Sequence, residues 1–253
     1  MNVKKQIRAI FLSLFIGIVF SCSKKDSDIE LQNTKLKKII YYSFTFPKTF
    51  DVKYENNKIS VLESDDTKIQ IFYNPSGKIS EKRITSTQTG EIHWKYEFLY
   101  QSNMIYETIT EYIGNSIITN KREIYYDSQN QIDSIKFYDD LNNLNSKKLF
   151  TWHNQNLISI QTFDNNNNLI SNLDIEYDLN KVNKFNEEYK DFWLINEYDT
   201  SYNFELYLSK NITLSSYYST NGVVDNTTYA YTYINGYINK IYQNSELLIE
   251  FVY

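Results

Sequence analysis

The chain has 253 residues, a formal net charge of −5, and an aromatic fraction of 17% carried mainly by Tyr 24 and Phe 15 against Gly 6 and Pro 2. That size holds one large all-β domain or two small ones, and an excess of ring-bearing and β-branched residues suits a pleated, half-buried surface. The acidic balance argues against nucleic acid as a partner, and with Cys22 as the single cysteine no disulfide can form within the chain.

Residues 1–21 read as a secretion signal. Lys4, Lys5 and Arg8 form a basic start, and Ile10 to Phe20 is an apolar run too short for a comfortable bilayer span. Val19-Phe20-Ser21-Cys22 resembles the lipobox of bacterial lipoproteins, which implies Cys22 as the lipid attachment site; the alternatives are a plain signal with an incidental cysteine and an uncleaved anchor. Cleavage before Cys22 removes the three cations and no acid, taking the charge from −5 to −8. Residues 22–36 begin Ser23-Lys24-Lys25-Asp26 after the cysteine and read as a polar tether. In Gram-negative lipoproteins an Asp after the cysteine favours the inner membrane. Ser23 stands there, so the resemblance implies export and anchoring in the outer membrane, on either leaflet.

From residue 37 to 253 the pattern repeats. An aromatic ends a rising alternating strand, and five or six residues later an apolar residue opens a falling one: Tyr54 and Ile59, Tyr73 and Ile79, Tyr100 and Ile105, Tyr126 and Ile132, Trp152 and Leu157, Tyr177 and Val182, Tyr207 and Ile212, Tyr233 and Ile238. The steps between these anchors are 19, 27, 26, 26, 25, 30 and 26 residues, a period near 26. Gly77 and Gly236 fall in the turn after an anchor, Gly90, Gly114 and Gly222 in the opposite turn, and asparagines such as Asn56, Asn57, Asn130 and Asn154 occupy turns that lack glycine. Partial copies flank the array, with Ile40, Tyr42, Phe44 and Phe46 opening it and Ile249, Phe251 and Tyr253 closing it in an unpaired last strand, Leu248 to Tyr253.

The expected fold is therefore all-β, an antiparallel up-and-down meander of about eight hairpin repeats of roughly 26 residues, curled into an open barrel or superhelical sheet. A membrane-spanning barrel is disfavoured because many alternating runs cover only five to seven residues. Tyr73-Asn-Pro-Ser-Gly77-Lys-Ile79 and Tyr126-Asp127-Ser-Gln-Asn130-Gln-Ile132 resemble the YD repeats of Rhs-type proteins, and the spacing resembles a group of secreted bacterial lipoproteins built from such hairpins. The resemblance implies a hairpin array; no self-cleaving core or toxin domain accompanies it.

Candidate chemistry is sparse. His93 and His153 lack the spacing of metal ligands, and Asp65-Asp66, Asp139-Asp140 and Glu187-Glu188 lack a defined partner across a cleft, so neither catalytic nor metal residues are assigned and no cofactor is expected. Trp94, Trp152 and the tyrosines suit both stacking on sugar rings and packing a sheet core. The irregular stretch Glu187 to Trp193 breaks the alternation, reading as a capping insertion or as a site with Tyr189, Phe192 and Trp193 as ligand-binding candidates. The functional expectation is a lipid-anchored, non-enzymatic envelope protein that binds or scaffolds a glycan, peptide or envelope protein; the alternatives are a polysaccharide hydrolase and a structural or immunity partner of a secreted protein.

Overall fold

The computed structural model describes residues 35–42, 46–189, 191–195 and 204–253. The expected signal and Cys22 lie outside the described residues. Lys37–Val252 form one compact unit, built of sixteen strands. These begin with β1 (Lys38–Tyr41), β2 (Lys48–Glu55), β3 (Lys58–Glu63), β4 (Thr67–Tyr73), β5 (Ile79–Ser86), β6 (Ile92–Gln101), β7 (Met104–Ile113) and β8 (Ser116–Tyr126). They continue with β9 (Ile132–Tyr138), β10 (Leu144–His153), β11 (Asn156–Asp164) and β12 (Leu169–Val182), and, after a helical segment, β13 (Asn211–Thr220), β14 (Val223–Ile234), β15 (Tyr237–Gln243) and β16 (Glu246–Val252).

Each strand pairs antiparallel with its sequence neighbours, and β1 pairs with β16, so the meander closes into a barrel. Closure corrects the expected open sheet and the expected free last strand: β16 is bonded on both sides, to β15 and β1. A seam of one inward row holds it, with Ile39 opposite both Phe50 and Phe251, all three at most 1% exposed. The inward parity of β1 is thus Ile39 and Tyr41, not Ile40 and Tyr42. Closing the ring removes every unpaired strand edge, which is the physical reason a meander of this length does not stay open.

Six of the predicted hairpins form with the expected pairs, from Tyr54 with Ile59 to Tyr233 with Ile238, and the turn chemistry explains them; the predicted turn from Tyr177 to Val182 does not form, since Tyr177 stands opposite Thr213 and Val182 opposite Asn211. Asn56, Asn57, Asn130 and Asn154 adopt left-handed φ of 49°, 64°, 61° and 50°, where asparagine is tolerated at little cost. In the turn after Tyr126, Asp127 Oδ1 accepts from the backbone N–H groups of Gln129 and Gln131; in the turn after Tyr73, Asn74 Oδ1 accepts from Lys78 N–H. The predicted eighth hairpin around Tyr207 does not form. Instead residues 183–210 leave the sheet as α1 (Lys184–Glu188), α2 (Phe192–Ile195) and α3 (Phe204–Leu208), with Tyr207 on α3. Its neighbours in the ladder are rejoined directly, Tyr177 opposite Thr213.

The two faces of the wall differ sharply. Inside, Ile105, Ile124 and Ile135 form one row across β7, β8 and β9 and are 3% exposed or less. Sixteen strands ordinarily enclose an aqueous channel; here the inward rows carry rings and aliphatics together with the buried Lys82 and with Glu107, which pairs with Arg122. Outside, one row runs Glu81, Glu97, Thr108, Lys121, Tyr138, and the next runs Arg83, Lys95, Thr110, Thr119. A lipid-facing barrel needs an apolar belt in those positions. Strand length is not the discriminating feature expected from the sequence, since β6 and β7 have 10 residues and β12 has 14; the charged outer rows of β5 to β9 are what argues against lipid contact there.

Candidate functional site

The seven anchor turns lie at the same end of the barrel. At six anchors the ladder slips by one residue beside the aromatic: Tyr54, Tyr73, Tyr126, Trp152, Tyr177 and Tyr233. Such a bulge bends the strand and re-aims the side chain. Three anchors then latch onto the preceding hairpin. Tyr73 Oη donates to the Ile59 carbonyl (2.7 Å), Trp152 Nε1 to that of Ile132 (2.7 Å), and Tyr177 Oη to that of Leu157 (2.6 Å). Each such bond contributes about 1 kcal/mol and holds a ring at the barrel mouth.

The helical segment is the anchor turn of the β12–β13 hairpin, expanded. Buried amides fasten its two ends: Asn183 Nδ2 donates to the Leu206 carbonyl, Asn186 Nδ2 to those of Leu208 and Ser209, and Asn156 and Asn211 bond to each other. Its apolar face is organised by Phe185, whose ring centroid lies 4.7 Å from Phe251 on β16, 4.9 Å from Tyr189, 5.1 Å from Phe192 and 6.0 Å from Tyr207. A polar tie runs to the opposite wall, where Lys82 Nζ on β5 donates to the Leu194 carbonyl at 2.9 Å and sits 3.9 Å from the Tyr96 ring centroid. That ammonium belongs to a side chain only 3% exposed.

Between the expanded turn and the anchors of β4, β6, β8 and β10 lies a cavity of about 830 Å³. Tyr73, Tyr100, Tyr126 and Trp152 form one wall, and Tyr189, Asp191 and Trp193 the other. The buried Ile59, Ile105 and Ile132 line it from below. Burial, and next the negative charge of Asp191, raise the Tyr73 phenol to about 12 and push that of Tyr100 up, while burial, then Tyr100 and then Asp191 push that of Tyr126 up; all three stay neutral at physiological pH. Asp191 itself is exposed. Lys58 donates to the Gly77 carbonyl and lies 4.8 Å from the Tyr73 ring, and Lys78 lies 4.7 Å from that of Tyr100. Glu188 accepts from Tyr237 Oη at 2.6 Å, a bond that raises this phenol to about 12. The arrangement offers flat rings, neutral hydroxyls and amides, and a carboxylate, in a recess with buried isoleucines at its inner lining.

Tyr189, Phe192 and Trp193, the candidates from the sequence, all border this cavity. Their roles differ: Phe192 is 1% exposed and packed against Phe185 and Tyr207, Tyr189 stacks on Phe185 with its hydroxyl 3.5 Å from that of Tyr54, and Trp193 is half-buried at the cavity wall. Asp191 and the anchors were not singled out as a site. The available signal was positional, since the anchors recur at one point of each repeat and so share one end of the barrel. His93 stands beside Trp94 and His153 bonds to Asn154, neither at the cavity. Asp66 and Asp139 serve turns at the other end, the former held by Lys48, Ser64 and Thr67, the latter accepting from Leu141 and Asn143 N–H. Among the described residues no group of three or more His, Cys, Asp or Glu is placed to hold a metal ion.

No protein-family model matches the sequence, and no curated protein matches it. Among solved structures, a porin-like protein from Bacteroides vulgatus is 14% identical, with a TM-score of 0.53 over 86% of this chain and 98% of that one. A porin-like protein from Bacteroides uniformis is 12% identical, with a TM-score of 0.42 over 87% and 97%. At this identity the first likeness establishes a shared barrel fold.

Proposed function

We propose that this chain is a lipid-anchored, non-catalytic protein of the Gram-negative cell envelope that holds a ligand in the mouth of a water-exposed barrel. The observation that carries the reading is the 830 Å³ cavity, of a size typical for ligand sites, where rings from four hairpins meet the expanded turn. The lipobox-like run ending at Cys22 supports anchoring, and Ser23 supports the outer membrane. The charged outer rows support a wall in water rather than in lipid. The solved neighbour is called porin-like, whereas the present reading places the ligand in the mouth cavity. The hairpins are proposed kin of YD repeats on the strength of the turns at Asn74 and Asp127.

Two measurements test this. Cys22→Ser should move the protein from the membrane fraction to the soluble fraction; retention in the membrane contradicts the anchor. On arrays of glycans and peptides the protein should retain ligands intact, and Trp193→Ala should abolish retention. Release of shortened product would instead establish a hydrolase.

A further inference from the structure

The geometry points to the end of an uncharged oligosaccharide as the ligand of the mouth cavity, bound by its terminus rather than along its length. This rests on the binding reading above and specifies it. Shape is the first ground. The recess is walled by four hairpins on one side and by α2 and its flanks on the other, with the buried Ile59, Ile105 and Ile132 at its inner lining. A polymer can put its end into such a cup.

Charge is the second ground. Lys58 is engaged with the Gly77 carbonyl and the Tyr73 ring, Lys78 lies against Tyr100, and Glu188 is bonded to Tyr237. Asp191 and Lys210, both exposed, add one anion and one cation at the lining, which together favour neither sign of ligand.

Composition is the third. Trp152 and Trp193 present flat apolar surface, while Gln129, Gln131, Gln155 and Asn186 present groups that both donate and accept. A sugar has the matching surface, with apolar C–H faces and hydroxyls that also do both, and the Asp191 carboxylate can accept from two neighbouring hydroxyls. A peptide that binds by strand addition needs a free strand edge, and the closed ring has none.

The test is titration of the full-length protein with uncharged tetrasaccharides of the cello, malto, manno and xylo series, followed by competition with the matching polymers. At least one series should bind. Asp191→Asn and Trp193→Ala should each weaken it about tenfold or more, a loss of about 1.4 kcal/mol or more, with the near-ultraviolet circular dichroism of the fold retained. At equal mass the polymer should compete more weakly in proportion to its chain length, because only ends count. Equal competition per unit mass overturns terminal recognition. Binding confined to sulfated or uronic glycans or to peptides, yet lost in both variants, overturns the uncharged-sugar assignment and leaves the cavity reading standing. Binding that ignores both variants overturns both, and failure of all the neutral series to bind overturns the sugar assignment.

Discussion

The β2–β3 turn and the β12–β13 connection occupy equivalent places in the repeat and solve the reversal differently. The first turns over Asn56 and Asn57 with two left-handed residues. The second runs from residue 183 to 210 and is held by Phe185, Phe192 and Tyr207 packed inward and by buried amides at its ends. A short turn needs only the right dihedral angles; a long one must bury apolar surface to offset the entropy of ordering it. The short solution repeats and frames the mouth. The long one, used once, converts the mouth into a cavity.

The largest effect is expected at the hub of the long connection. Phe185→Ala removes a ring that is 2% exposed and touches four others, and should cost about 3–5 kcal/mol. Native-state hydrogen exchange should show protection falling first in residues 184–195 while β6–β8 keep theirs; equal loss in both would show that the two regions are one cooperative unit. Next comes the polar tie. Lys82→Met withdraws a buried cation and the donor to the Leu194 carbonyl, leaving that acceptor unsatisfied at a cost of about 1–3 kcal/mol, read as a lower urea midpoint. Equal stability to wild type would remove Lys82 as a link between wall and insert.

Smaller effects belong to the short turns. Asn57→Ala at φ 64° should cost about 1–2 kcal/mol in thermal or urea denaturation, whereas Asn57→Gly should cost little; a tolerated alanine would mean the left-handed turn is not what sets the register. The smallest is at the opposite end. Lys48, foremost, with Ser64 and Thr67, holds the Asp66 carboxyl down to about 2 from its ordinary 3.8. The folded form therefore binds its proton later than the unfolded one, so the contribution is full above pH 3.8 and disappears as pH falls toward 2. With the side chain 60% exposed it should amount to less than about 1 kcal/mol. The stability difference between wild type and Asp66→Asn should shrink between pH 5 and pH 2, and a difference that stays constant would deny the linkage.

What the sequence made legible follows the same division. Hairpins set by local rules could be read directly: alternation, anchor spacing, glycine and asparagine in the turns. The segment Phe204-Glu-Leu-Tyr-Leu208 could not, because apolar residues at alternate positions suit a strand and a five-residue helix is too short to display its own period. Closure was hidden because Lys38 meets Val252, a pairing between opposite ends of the array that no local pattern encodes. The site was half visible. Broken alternation marked Tyr189 and Trp193, but a ring at an anchor satisfies the demand for core and for site alike, and only the folded-in connection separates Trp152 and Tyr126 at the cavity from Phe50 and Phe98 in the interior.

The most direct test of a single functional mouth is amide hydrogen exchange with and without the tetrasaccharide that binds best in the titrations. Slowed exchange should be confined to the anchor turns around residues 56–57, 74–78, 101–103, 127–131 and 154–155 and to residues 184–195, with the turns at Gly90, Gly114 and Gly222 unchanged. Protection at those opposite turns or along the charged outer wall, with the mouth unaffected, would contradict the account.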